Sequence, residues 1–391
     1  MQQKTTTDKL RMGTLFSGLG CPEAAVQTTP RLRDRIESVF YSELTGRAGE
    51  DGPDAKNSRN ACAVLGHHLP GLPNLEDVRT AVPPPADIVV HGGMCTPFSG
   101  ANRHHTGRLD PISLLPIDAM EICRRAGAKY FILENTDALM AGAHLQYLDS
   151  LERIIKDGHG YFVARGALDT GMFDEDYPVA RRRLWMVGAL GRPDIAEAIN
   201  GMWPKQSRPS DPSRIDWSRY LVPSLEEPLR LIPERARRLL EKHEAEADWG
   251  LHPFVKVAFL NASSTAVDEV VDPPGRVEPI FWKEDDHGIR WHEGHCPTLE
   301  KSSWGCIGTI QWCGNLLIAR KLSGREWARL MELPPGWLDV SDPDDPSKML
   351  DDGSIAKLVG NSMHLGQPRW ILNALLDAID ECPLWSTSKL L

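Results

Sequence analysis

Along the first 190 residues, short apolar runs alternate with stretches of helical spacing, and this alternation predicts a parallel α/β sheet. The runs predict strands over 11–16, 38–42, 87–91, 130–134, 161–167 and 184–190, with helices over 118–126 and 145–156. Each run closes on Gly, Ser, Asn or a charged residue, and open α/β sheets bind ligands beyond those carboxyl ends. Past Gly191 the texture changes. Pro and Ser punctuate 204–228, a helix is expected from Pro233, and 250–295 reads as short irregular strands. From Arg320 a helical pattern returns: Ser323 is expected to cap a helix reaching Glu332, and a last helix is expected over about 368–379. The chain therefore divides into an α/β domain over 1–190, a second domain over 191–293, and a segment over 294–391. That last segment edges the second domain and returns helices to the first.

Composition narrows the class without naming a chemistry. With 391 residues, 41% hydrophobic and 25% charged, the chain has enough apolar surface for a sizeable core without disulfides or metal. Its apolar runs fall short of the roughly 18 residues that cross a bilayer, and its first residues lack the apolar stretch of a secretion signal. The expectation is a cytoplasmic, monomeric protein with no membrane partner. Eight scattered cysteines form no CxxC pair, so no structural metal site is expected and most thiols should be reduced and inert. The net charge of −10 argues on its own against a strong nucleic-acid binder, because phosphate contacts need Lys and Arg. Locally the balance reverses: residues 202–242 hold nine Lys/Arg against six Asp/Glu, with Trp203, Trp217 and Tyr220 interleaved. That stretch reads equally as a solvated helix face or as a nucleic-acid surface.

Candidate chemistry gathers at the predicted strand ends. TLFSGLG (14–20) is a strand followed by Gly18-x-Gly20 and a helix start, a weak sign of a nucleotide-type ligand by itself. Glu43 closes the next strand, where α/β enzymes place a carboxylate for ribose hydroxyls, and Asp77 follows a third apolar stretch. Together they suggest an adenosine-containing cofactor. HGGMCTPFSG (91–100) puts Cys95 at the end of a buried strand. Glu134 ends the neighbouring strand, and Arg181 and Arg183 stand at the start of another. Thiol, carboxylate and guanidinium from three strand ends can converge on one substrate. Taken singly, Cys95 reads as a core thiol, Glu134 as a salt-bridging residue, Phe16 as core and the arginine run as a solvated patch.

The ordered set resembles the cytosine-5 DNA methyltransferase family. It comprises LFSGLG (15–20), Glu43, Asp77, GGMCTPFS (92–99), ENT (134–136), RRR (181–183), CPTLEKSSWG (296–305), RKLSGREWARLMELPPGW (320–337) and VGNSM (359–363). The resemblance implies a Rossmann-like S-adenosylmethionine-dependent methyltransferase sheet, with a smaller, irregular target-recognition domain over 191–293. It implies that Cys95 attacks carbon 6 of a flipped cytosine, with Glu134 beside ring nitrogen 3 and Arg183, with Arg181, on the carbonyl oxygen and nearby phosphate. Phe16, Gly18, Gly20, Glu43, Asp77, Asn361 and Ser362 would hold S-adenosyl-L-methionine, and Ser99 and Arg103 would close over double-stranded DNA. Arg235, Arg237 and Arg238 are the expected phosphate contacts of the recognition domain. A restriction-modification setting, prokaryotic or phage-encoded, is the expected origin.

Several positions depart from the family's habit. Met94 and Thr96 flank the nucleophile in place of Pro and Gln, Thr14 replaces an acidic residue, Cys21 a glycine and Val179 a glutamine. Met363-His364 replaces a small apolar pair. These changes raise the alternatives of a modified cytosine, a variant donor carrying a bulkier group, or slow methylation of ordinary cytosine. A tRNA substrate is a further alternative, although the Cys-Phe-Thr signature of that branch is absent from the sequence. A catalytically silent DNA-binding homologue would have no need of Cys95, Glu134 and Arg183. A dinucleotide oxidoreductase would leave that trio unexplained.

Overall fold

Strand β1 (Leu10–Leu15) leads into helix α1 (Cys21–Thr28), the short α2 (Pro30–Arg35) and strand β2 (Ile36–Ser42). The computed structural model describes residues 9–46, 53–92, 98, 111–172, 177–204, 214–221, 280–285, 288–293, 295–301, 304, 306–313 and 316–383. After α3 (Pro53–His68) come β3 (Ile88–Gly92), α4 (Leu115–Ala126), β4 (Tyr130–Thr136) and α5 (Leu145–Arg153). Then follow β5 (Tyr161–Asp169), β6 (Arg182–Leu190) and α6 (Pro193–Met202). The six strands form one sheet in the order β2-β1-β3-β4-β6-β5.

Alternation along the strands sorts side chains onto two cores. Met12, Ile88, Val90, Ile132, Trp185 and Val187 face one side. Leu15, Val89, Phe131, Leu133 and Met186 face the other, against Met120 and Ile122 of α4 and Leu148 and Leu151 of α5. Because both faces are covered, β3 and β4 are apolar almost throughout. The first side is closed by the carboxyl-terminal helices α7 (Gly324–Leu330), α8 (Asp352–Gly360) and α9 (Gly366–Glu381), through Trp327, Ile355, Val359, Ile371 and Leu375.

The sheet is parallel from β2 to β4, but β6 runs antiparallel to both neighbours. The expected parallel sheet is thus parallel except at β6. Only twelve residues, 170–181, separate β5 from β6, and the two strands pair antiparallel, which a short connection allows. The reversal brings the start of β6, with Arg181 and Arg183, to the edge where the parallel strands finish.

A second, four-stranded antiparallel sheet has the order β10-β9-β7-β8, with β7 (Ile280–Asp285), β8 (Gly288–Glu293), β9 (Ile307–Cys313) and β10 (Leu316–Lys321). Its strands come from both sides of residue 293. Helix α6 packs against β5 and β6 of the large sheet, and Phe281 and Ile307 join the same core as Trp185. The helix expected from Pro233 lies outside the described residues. Among the described residues, no helix is long and apolar enough to cross a membrane.

Candidate active site

The loop after β1 turns through three residues of left-handed backbone, Phe16 (φ 52°), Gly18 (φ 53°) and Gly20 (φ 71°). Gly18 faces open space, since a Cβ there would meet nothing within 4 Å. Its amide donates to Glu43 Oε2 at 2.8 Å. Burial pushes the Glu43 carboxyl up to about 6, against the Gly18 hydrogen bond that favours its charged form. Asn74, which the sequence reading passed over, fixes this corner. Its Oδ1 accepts the amides of Glu43 and Glu76 at 3.0 Å each, and its Nδ2 donates to the Glu43 carbonyl at 2.9 Å. Asp77 is engaged elsewhere: Arg79 grips its carboxylate at 2.6–3.1 Å and holds it below the usual carboxylate range.

The carboxylate missing at position 14 returns from the helix. Thr14 donates to buried Glu23 of α1 and shares a 2.8 Å hydrogen bond with Ser17. The other Glu23 oxygen, Oε2, is buried without a partner. Desolvation pushes this carboxyl up to about 7, against the Thr14 hydrogen bond. Cys21 donates its thiol to the Met363 carbonyl at 3.3 Å, and burial pushes that thiol up to about 12.

On the reacting side, Gly92 of β3 lies in register with Glu134 of β4. Cys95 is three residues further on and lies outside the described residues, as do Met94, Thr96, Ser99, Arg103, Arg235, Arg237 and Arg238. Phe98 of the same motif is described. It is buried, packed against Tyr147 at 4.7 Å and edge-on to His144 at 5.4 Å. Thr136 of β4 stands opposite Arg183 of β6, so Glu134 and Arg183 are diagonal neighbours on one face. Arg183 Nε meets Glu134 Oε1 at 3.2 Å. Burial raises the Glu134 carboxyl above its ordinary value and outweighs the opposing pull of Arg183 and Arg181.

The two arginines part company. Arg181 is 3% exposed and its guanidinium donates to the carbonyls of Leu299, at 2.9 Å, and Ser362. Gln367 binds the Arg181 and Leu168 carbonyls, each at 2.9 Å. Thus Arg183 reaches Glu134, whereas Arg181 ties β6 to the carboxyl-terminal segment. Ser362 supplies its carbonyl to that tie and turns its hydroxyl to Val359 at 2.7 Å, while Asn361 is exposed at the end of α8. Met363 approaches Gly92, its methyl 3.3 Å from where a Gly92 Cβ would stand.

The donor set suits a ligand with ribose hydroxyls and an adenosine body. The loop has an open glycine, the strand-end Glu43 accepts the Gly18 amide, and a half-buried Phe16 belongs to the same loop. No group of three His, Cys, Asp or Glu able to hold a metal occurs among the described residues.

A glycine loop with an acidic strand end on one side, and a buried acid paired with a guanidinium on the other, place this Rossmann-like sheet among the methyltransferases. The model of the C-5 cytosine-specific DNA methylase family matches residues 72–363. The chain belongs to that family. It is 31% identical over 174 residues to the type II methyltransferase M.HpaII of Haemophilus parainfluenzae, covering 44% of each chain. It is 27% identical over 183 residues to the orphan methyltransferase M.SPRI of Bacillus phage SPR, covering 46% of this chain and 38% of that one. The chain thus spans less than half the length of these curated relatives. Among solved structures, the Entamoeba histolytica methyltransferase EhMeth superposes with a TM-score of 0.56 at 12% identity, over 95% of this chain and 99% of that one. The S. pombe Dnmt2 methyltransferase does so with 0.54 at 14% identity, over 95% and 100%. At such identities the likeness speaks for the fold alone.

Proposed function

We propose that this chain is a DNA methyltransferase acting on carbon 5 of a cytosine flipped out of the duplex. The observation that carries the reading is the pairing of buried Glu134 with partly buried Arg183, Glu134 being in register with Gly92 at the entrance to the Cys95 motif. Carbon 5 of cytosine is a poor nucleophile. Attack of the Cys95 thiolate on carbon 6 makes carbon 5 nucleophilic, and after methyl transfer the loss of the carbon 5 proton to a base expels the sulfur and restores the ring, which splits one difficult step into easier ones. Burial favours the protonated form of Glu134, so this side chain can share a proton with ring nitrogen 3 as charge develops there. Arg183 orients Glu134 and offers its remaining donors to the exocyclic oxygen. Arg181 holds the strand that carries Arg183 in place.

Residues 16–20 and Glu43 would hold S-adenosyl-L-methionine, which when bound would supply an electrophilic methyl group; Glu43 would accept from its ribose, and Gly18 would give it room. Met363 fills space beside Gly92, which favours a small transferred group over the bulkier donor that Met94 and Thr96 suggested. Restriction-modification is the setting in keeping with the type II relative.

The test is covalent trapping with duplex DNA containing 5-fluorocytosine in the presence of S-adenosylmethionine. A protein–DNA adduct stable to denaturation is expected with the parent chain and is expected to disappear in Cys95→Ser. An adduct that survives the substitution, or none with the parent across varied target sequences, removes the proposal.

A further inference from the structure

We infer that Trp337 is a positioning residue for the loop at 16–20: its indole N–H sets the orientation of the Leu19–Gly20 peptide and, through it, the affinity for the donor. The inference rests on the reading above that this loop receives S-adenosylmethionine.

In a loop with left-handed backbone at Phe16, Gly18 and Gly20, glycine permits either orientation of the peptide units beside it, so each plane is set by its hydrogen bonds. The Gly18 amide has Glu43, and the Gly20 amide has the Ser17 carbonyl at 2.8 Å. The opposite end of the Leu19–Gly20 peptide is held from the far end of the chain. Trp337 Nε1 donates to the Leu19 carbonyl at 2.8 Å. A flip of that peptide would break both hydrogen bonds at once.

The indole is itself held rigid. Its ring is 4% exposed and lies flat on the His68 ring, with centroids 3.8 Å apart and planes 2° from parallel. His68 Nε2 is 2.8 Å from the Trp337 carbonyl. The PPGW turn, with Gly336 at φ 78° and the Trp337 amide on the Pro334 carbonyl at 3.0 Å, delivers the ring to this place. A residue serving only as core filler needs no donor aimed at a loop carbonyl; Trp337 has one.

The experiment compares the full chain with Trp337→Phe and with His68→Ala. Trp337→Phe keeps a flat ring and removes the donor, while His68→Ala removes the plane behind the indole. Three quantities are read: the dissociation constant of S-adenosylhomocysteine by calorimetry, hydrogen exchange of residues 15–24 against 130–136, and the split between KM for the donor and kcat. Trp337→Phe is expected to weaken binding roughly tenfold, the scale of one buried hydrogen bond left unmade. Exchange should rise at 15–24 and hold at 130–136, and KM should rise while kcat at saturating donor stays within about twofold. His68→Ala should show the same pattern at smaller size, which covers the case of an unfolded Trp337→Phe.

Unchanged affinity in either folded variant overturns the inference. So does a fall in kcat at constant KM. A parent chain that fails to bind S-adenosylhomocysteine removes the reading of the loop itself, and the inference with it. A parent that binds alongside unaffected variants removes the inference alone.

Discussion

Glu134 lies under two opposing pressures: burial raises its carboxyl, while Arg183 and Arg181 draw it down. Because burial prevails, the protonated form is more accessible than in an exposed carboxyl. Glu134→Gln keeps the shape and removes the titratable proton. Single-turnover methyl transfer is expected to slow by about 10²–10⁴-fold, with S-adenosylhomocysteine binding retained. Glu23 is a different case, because its raised carboxyl bears on stability. Between the ordinary carboxylate value of 4.5 and about 7, the unfolded chain releases a proton that the folded chain keeps. Folding stability therefore falls as pH rises through that window and levels off above it, by about 3 kcal/mol at most. Glu23→Gln is expected to abolish this loss, seen as a urea midpoint less dependent on pH between 5 and 8 than the parent's. The sequence made Glu43 and the Glu134–Arg183 pair legible because each sits at a strand end inside a recognisable motif. Glu23, Asn74 and Trp337 were hidden, since what matters is a partner 9, 31 or 318 positions away.

At the level of elements, the six strands of the large sheet were readable to within two residues, because strands covered on both faces read as continuous apolar runs. The direction of β6 was not, since the pattern of a strand is the same run in either sense. Helix ends diverged for local reasons. The helix expected over 145–156 narrows to α5 and then widens into a π turn at Ile154–Gly158, a change that apolar spacing does not announce. Helix α7 stops at Leu330, short of the expected Glu332, because Glu332 takes left-handed backbone at φ 60°. Its start was legible: Ser323 and Glu326 form a reciprocal capping box. Ser323→Ala is expected to cost about 1 kcal/mol, measured as a lower urea midpoint. Because α7 carries Trp327 into the core beneath the large sheet, that loss should register as global rather than local unfolding.

For the whole molecule, charge sets the terms. A chain of net charge −10 that engages DNA must concentrate its basic groups where the duplex lies, leaving its acidic excess elsewhere. Affinity for duplex DNA is accordingly expected to fall steeply between 50 and 200 mM salt, by about 10³-fold if some six phosphates are contacted. A flat salt response in a filter-binding or anisotropy titration would remove that arrangement of charge. The residues proposed to face phosphate, Arg235, Arg237 and Arg238, belong to the stretch least legible from sequence.

The guanidinium of Arg181, shared between the carbonyls of Leu299 and Ser362, makes the order of synthesis matter. A nascent chain leaving the ribosome completes its six central strands by Leu190, yet the strut beneath Arg183 waits for a residue made some 170 positions later. A transcript cut short before Ser362 yields a sheet whose arginine has lost a buried acceptor, which is costly for a charged donor. Fragments ending before Ser362 are thus expected to be inert in methyl transfer.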